Sequence, residues 1–152
     1  MQPERDGERI LGRGGVVTRT LGVIGGEVRE PIASPGTWER ALHDQWVAFT
    51  LAELEANLWS TARNVFIYPE EKRVTQIFEQ NAEESRRAAG VIDEHLRGRT
   101  WLVAERFSVT DIFVGYALNW ARLAGLTAQL PNVAAYCERL LGMPRCPYQR
   151  TS

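Results

Sequence analysis

Apolar residues recur at helical spacing through most of the chain beyond residue 34. Val47, Leu51, Leu54 and Leu58 follow one another at intervals of four, three and four positions, which predicts a helix over residues 36–62. Ser34 is the candidate N-cap of this helix, because the proline that follows it suits the first helical position.

Three more helical segments follow in the pattern. A second series of apolar residues predicts a helix over residues 70–97, with Gly98 as its left-handed C-cap. Gly90 within this helix indicates a close approach to a neighbouring helix. The next helix runs to about residue 124 and stops at Gly125, and the last begins at Pro131. Since every sustained period is helical, the sequence predicts an all-α fold, a helical bundle.

Residues 1–33 differ from the rest of the chain in composition and pattern. They mix charges with glycines, show no sustained period, and predict a loop with one short strand around Val16 and Val17. We therefore divide the chain into an irregular N-terminal segment, residues 1–33, and a helical domain, residues 34–152.

The third helix has a doubly specified start in the stretch RFSVTDIF. Ser108 is its predicted N-cap and Asp111 lies three residues later, which is the spacing of a capping box. Phe107 and Ile112 flank the cap at the spacing of a hydrophobic staple. Because almost every interior position beyond it is apolar, we expect this helix to be the buried centre of the bundle.

Composition and charge exclude several classes of protein. With 152 residues, 44% hydrophobic and 24% charged, the chain has the make-up of one soluble globular domain. A formal net charge of -1, without a basic stripe, argues against nucleic acid as a partner. The apolar stretch near the N-terminus is broken by Arg19 and rich in glycine, so we expect no membrane span.

Candidate redox and metal chemistry is sparse. Cys137 and Cys146 are too few for a disulfide framework, which is compatible with a reducing cytoplasm. His43 and His95 are far apart and neither has a partner at a ligand spacing, so we expect no metal site.

The order of these segments resembles a known family. The stretches HLRGRTWLVAERFSVTDIFVGYALNWARLAGL and PNVAAYCERLLGMP, after a long helix pair, are similar to the all-α C-terminal domain of cytosolic glutathione transferases, closest to the bacterial members. The resemblance covers residues 37–145. It implies conjugation of glutathione, as co-substrate, to hydrophobic electrophiles, and it implies that the capping box and staple of the central helix serve folding.

The resemblance also implies where small hydrophobic molecules bind. In the family the first and central helices wall the pocket for the electrophile, so Trp46, Tyr116 and Trp120 are its candidate lining. The same three residues, at helical spacing among other apolar residues, equally fit ordinary core packing.

The chain departs from the family at its start. A complete member places a thioredoxin-like domain, with the residue that activates the thiol, before the helices, and residues 1–33 are too few for that domain. GGVVTRTLGVI is similar to the family's last strand, with Arg19 at its acidic position and Thr20 at its serine position. Thr20 is thus a glutathione-binding candidate, and residues 1–15 contain no Tyr, Ser, Thr or Cys. We expect a truncated or inactive member with no catalytic residue of its own.

Two other functions stay open at this point. The helical domain could be a stand-alone protein-interaction module, or a carrier that binds hydrophobic ligands without chemistry. The resemblance further implies a homodimer, or another association, through the first long helix. Trp38, Trp46 and Trp59 on this helix would favour such association if they are exposed.

Overall fold

The computed structural model describes residues 33–144 and residue 146. Its first long helix, residues 38–67, is built from α1 (Trp38–Phe49), a π-helical segment (Thr50–Glu55), α2 (Ala56–Ala62) and a second π-helical segment (Arg63–Ile67). The backbone keeps right-handed helical angles at each junction, so these four pieces form one rod.

The N-cap of α1 is Thr37 and not Ser34. Thr37 Oγ1 accepts the Arg40 N–H at 3.2 Å and donates to the Ser34 carbonyl at 2.8 Å. Gly36 lies between them with a φ of 83°, which interrupts the helix before it can extend back to Pro35. The expected cap at Ser34 is therefore wrong, and the left-handed glycine moves the start of the helix to Thr37.

The second long helix begins later than its apolar pattern predicts. Residues Glu70–Lys72 and Thr75–Ile77 form two 3₁₀ turns, and α3 covers Phe78–Leu96. The buried side chain of Asn64 bridges the two regions, since its Nδ2 donates to Ser60 O at 2.9 Å and its Oδ1 accepts the Val74 N–H at 2.8 Å. A helix through Val74 would need that N–H for itself.

The remaining helices are α4 (Val109–Leu123) and α5 (Pro131–Leu141). Gly98 and Gly125 adopt φ values of 71° and 74°, in the left-handed region expected of residues that end α3 and α4. The described residues contain helices and no strand, which confirms the all-α helical bundle. None of the helices described is long and apolar enough to cross a membrane.

The first long helix and α3 pack antiparallel. Trp46 stacks against His95 with ring centroids 4.4 Å apart, while further along Asn81 Nδ2 donates to Thr61 Oγ1 at 3.1 Å. The core between the helices is built from aliphatic and aromatic side chains that are nearly inaccessible to solvent. Its fully buried members include Leu54, Ala89, Ile92, Leu102, Val114, Ala117, Leu118, Ala121, Val133 and Tyr136.

A close helix–helix approach is found at Gly115 and not at Gly90. A Cβ added at Gly115 would meet Leu140 Cδ1 far inside van der Waals contact, whereas nothing lies within 4 Å of one added at Gly90. The expectation for Gly90 is therefore wrong, and α4 and α5 touch where the central helix has no side chain.

Candidate functional site

The start of α4 carries the predicted capping box. Ser108 N–H donates to Asp111 Oδ2 at 2.8 Å, and Ser108 Oγ accepts the Thr110 N–H at 3.3 Å. Both halves of the reciprocal cap are present. Because residues 109–111 are buried, water cannot satisfy these amides, and the helix supplies the partners from its own side chains.

Asp111 does more than cap its own helix. Its side chain is fully buried, and its Oδ1 accepts both the Leu102 N–H at 3.0 Å and the Tyr136 hydroxyl at 2.9 Å. Burial raises the pKa of Asp111, and the hydrogen bonds from Leu102, Ser108 and Tyr136 oppose that rise. One carboxylate thus joins the loop before α4, the start of α4 and α5.

A buried histidine lies beside the same helix start. His43 Nδ1 is 2.6 Å from Thr110 Oγ1, and the residue is only 5% exposed. Burial lowers the pKa of His43, Asp44 next to it raises the pKa, and Arg40 lowers it again. The neutral ring is therefore the form that the fold favours.

The aromatic side chains predicted to line a pocket fall into two places. Tyr116 and Trp120 lie one turn apart on α4, Tyr116 being 44% exposed and Trp120 partly buried. The Trp120 ring meets the Trp59 ring edge to face, with centroids 6.4 Å apart. Together, Trp59, Tyr116 and Trp120 form an aromatic face between the first long helix and α4, which we call the tryptophan wall.

Trp46 does not belong to the tryptophan wall. It is 6% exposed and packs inside the core against Phe49 and His95. At a rise of about 1.5 Å per residue, Trp46 and Trp59 are separated by about 20 Å along the helix. Trp46 thus has the packing role that the sequence left open, and it is Trp59 that lies against Trp120.

Trp59 and Trp120 could have been paired from the sequence only with knowledge of how the helices align. The contacts of His43 with Thr110 and of Trp59 with Trp120 show that the first long helix and α4 run in the same direction. Periodicity places each tryptophan on a helix face, but it does not give the register between two helices.

Two buried groups of the bundle, the Cys137 thiol and the Tyr136 hydroxyl, are poorly suited to activate another thiol. Burial raises the pKa of the Cys137 thiol to about 11, so it is protonated at neutral pH. Burial and the Asp111 carboxylate raise the pKa of the Tyr136 hydroxyl, which already donates to that carboxylate. Over residues 33–144 and 146, no group of His, Cys, Asp or Glu side chains could hold a metal ion. Thr20 and Arg19 lie outside the described residues.

Residues 75–139 match the family model described as "Glutathione S-transferase, C-terminal domain". Glutathione S-transferase GST-4.5 of Xanthomonas campestris is 26% identical over 103 residues, which are 67% of this chain and 50% of that protein. Elongation factor 1-gamma of Danio rerio is 38% identical over 78 residues, 50% of this chain and 17% of that protein.

Solved structures show the same fold. A glutathione transferase from Pseudomonas putida, with glutathione disulfide bound, gives a TM-score of 0.65 at 23% identity over 88% of this chain and 59% of that chain. The transferase URE2P6 of Phanerochaete chrysosporium, in complex with oxidized glutathione, gives 0.71 at 20% identity, with coverages of 88% and 62%. The chain thus spans about half the length of GST-4.5 and about three fifths of these solved chains.

Proposed function

Because the helical domain of this chain belongs to the glutathione S-transferase family as its C-terminal domain, we propose that it binds the hydrophobic electrophile of a glutathione transfer reaction. The tryptophan wall carries the proposal. Tyr116 is exposed on it, and the edge-to-face pair Trp59–Trp120 offers aromatic surface to a planar apolar molecule. Glutathione enters as the proposed co-substrate because the Pseudomonas putida relative binds its disulfide.

The thiol needs a site of its own. A glutathione thiol is mostly protonated near neutral pH, so a transferase must stabilise the thiolate and hold it beside the electrophile. Cys137 and Tyr136 are both buried with raised pKa values and cannot serve. We propose that a thioredoxin-like half holds the glutathione, with Thr20 as a weak contact from this chain, and that the helical domain supplies the apolar side.

Binding at the tryptophan wall can be measured on the 152-residue chain without any turnover. A chlorinated nitroaromatic should quench tryptophan fluorescence saturably, and Trp120→Ala should weaken its binding about tenfold, which corresponds to about 1.4 kcal/mol. Trp38→Ala is the matched control, because Trp38 is 74% exposed at the far end of the same helix. Equal losses in the two variants, or no saturation in the parent chain, would contradict the proposal.

Turnover provides the second arm of this test. With millimolar glutathione the chain alone should not exceed the uncatalysed conjugation rate, because proximity does little for a thiol that stays protonated. Catalysis that saturates in glutathione and disappears on unfolding would show that the thiol site lies in this chain or in a partner copy.

Self-association through the first long helix belongs to the same proposal. Trp38 is 74% exposed and Leu51 37% exposed on this helix, whereas Trp46 is buried. Light scattering over a range of concentrations measures the association, and a monomer at every concentration would refute it.

A further inference from the structure

Arg63 brings a positive charge to the edge of the tryptophan wall. Its backbone N–H donates to Trp59 O, so the two residues lie one turn apart on the same face of the first long helix. That turn advances about 6 Å along the helix axis. Helical side chains tilt toward the N-terminus of their helix, and for Arg63 this is the direction of Trp59.

The Arg63 guanidinium has hydrogen-bonding capacity that its described neighbours do not use. Its Nε is inaccessible to solvent and has no hydrogen-bond partner within the part of the chain that the structure describes. None of the ion pairs found in that part includes Arg63. A buried N–H without an acceptor is unfavourable, and a bound group that accepts its hydrogen bond removes that cost.

Tyr68 orders the guanidinium. The Arg63 Cζ lies 5.9 Å from the centroid of the Tyr68 ring, which is a cation–π contact. The Tyr68 backbone is fixed in turn, because its N–H donates to Arg63 O at 2.8 Å and its carbonyl accepts Arg73 Nε at 2.9 Å. A cation that is ordered in advance binds an anion at a lower entropic cost than a mobile side chain does.

We propose that the electrophile bound at the tryptophan wall carries a carboxylate, and that Arg63 binds this carboxylate. The inference rests on the proposed function and names its substrate class, the aromatic acids. The Nε–H and one Nη–H of an arginine form a fork that matches the two oxygens of a carboxylate. With the ring of the ligand against the Trp59–Trp120 pair, a carboxylate on that ring can point along the helix toward the guanidinium.

Fluorescence titration of the 152-residue chain tests the inference with two matched compounds, a chloronitrobenzoate and its uncharged amide. Both present the same ring to the wall, and only the benzoate carries the anion. We expect the benzoate to bind about tenfold more tightly, which is the size of one charge-assisted hydrogen bond. Equal affinities would overturn the role of Arg63 and leave the wall intact. Failure of both compounds to bind would overturn the proposed function and this inference with it.

Three variants test whether the preference belongs to Arg63. Arg63→Gln should abolish the preference and leave the affinity for the amide unchanged, which also shows that the variant is folded. Arg63→Lys keeps the charge without the fork and should retain only part of the preference. Arg122→Gln is the control, since it removes the same charge near Trp120, but Nε and Nη2 of Arg122 already donate to Asn119 Oδ1. A preference that survives Arg63→Gln, or that Arg122→Gln removes equally, would overturn the proposal.

Glutathione also carries carboxylates, and a competition experiment separates them from that of the electrophile. Millimolar glutathione should leave the preference for the benzoate unchanged, because the proposed function places glutathione on a thioredoxin-like half. Loss of the preference in the presence of glutathione would mean that Arg63 binds a glutathione carboxylate, and the assignment to the electrophile would then be wrong.

Discussion

The starts of α4 and α5 are both capped by a buried aspartate, but the two caps come from different distances along the chain. Asp111 receives the Ser108 N–H from three residues away. At α5, the Asp93 carboxylate receives the Val133 N–H at 2.8 Å and the Asn132 Nδ2 at 2.9 Å, from a position about forty residues earlier. The physics is the same, since a helix N-terminus needs acceptors for its free amides.

The two carboxylates differ in how much they hold together. Asp111 is fully buried and accepts hydrogen bonds from three segments of the chain. Asp93 is 9% exposed, and among the residues that the structure describes its hydrogen bonds go only to the first turn of α5. The comparison indicates that a cap within one helix can also organise the tertiary fold, while a cap between helices mainly fixes one contact.

The largest expected effect is that of Asp111→Ala. It removes the acceptor for two backbone amides and the Tyr136 hydroxyl in a site that water cannot reach, so we expect a loss of about 3 kcal/mol in the free energy of unfolding. Denaturant melts measure it. Glu83→Ala, an exposed change in the middle of α3, is the control. A loss no larger than that of the control would mean that the network at Asp111 contributes little.

A smaller loss is expected from Asp93→Ala. It leaves the Val133 amide and one side chain without an acceptor at a partly accessible helix start, which should cost about 1–2 kcal/mol. The same melts compare the two variants directly. If Asp93→Ala is as costly as Asp111→Ala, the distinction between the two caps is wrong.

Local patterns in the sequence were enough for the helical architecture. The cap at Ser108, the glycines Gly98 and Gly125, and the proline that opens α5 all act within a few residues of where they stand. The resemblance to a family was carried by the same local features. Helix starts set by distant partners could not be predicted, and Asn64, which holds Val74 out of α3, is the example.

The candidate site was harder to predict for a related reason. Tyr116 and Trp120 share a face because they are four residues apart on one helix. Trp46 and Trp59 are both on the first long helix, and nothing in their own spacing tells which of them meets Trp120. That depends on the register between helices, which is set in part by the buried contact of His43 with Thr110.

The smallest expected effect is a dependence of stability on pH, and it concerns His43 at the start of α4. Burial lowers the pKa of His43 below its ordinary value of 6.5, and this ring lies against Thr110 at the start of α4. As the pH falls through 6.5, the unfolded chain binds a proton that the folded chain takes up less readily, so the free energy of unfolding decreases. Above that pH, both states hold the neutral ring and the term disappears.

His43→Gln keeps a polar group beside Thr110 and removes the titration. The decrease in stability between about pH 7.5 and about pH 5.5 should therefore be larger for the parent chain than for His43→Gln, with the carboxylates cancelling in the difference. Asp44 and Arg40 are the charged neighbours on α1; they form an ion pair with each other at 3.0 Å, and the substitution removes neither of them. Parallel pH profiles would show that His43 accepts a proton in the fold as easily as in the unfolded chain. The neutral form of His43 would then contribute no stability to the start of α4.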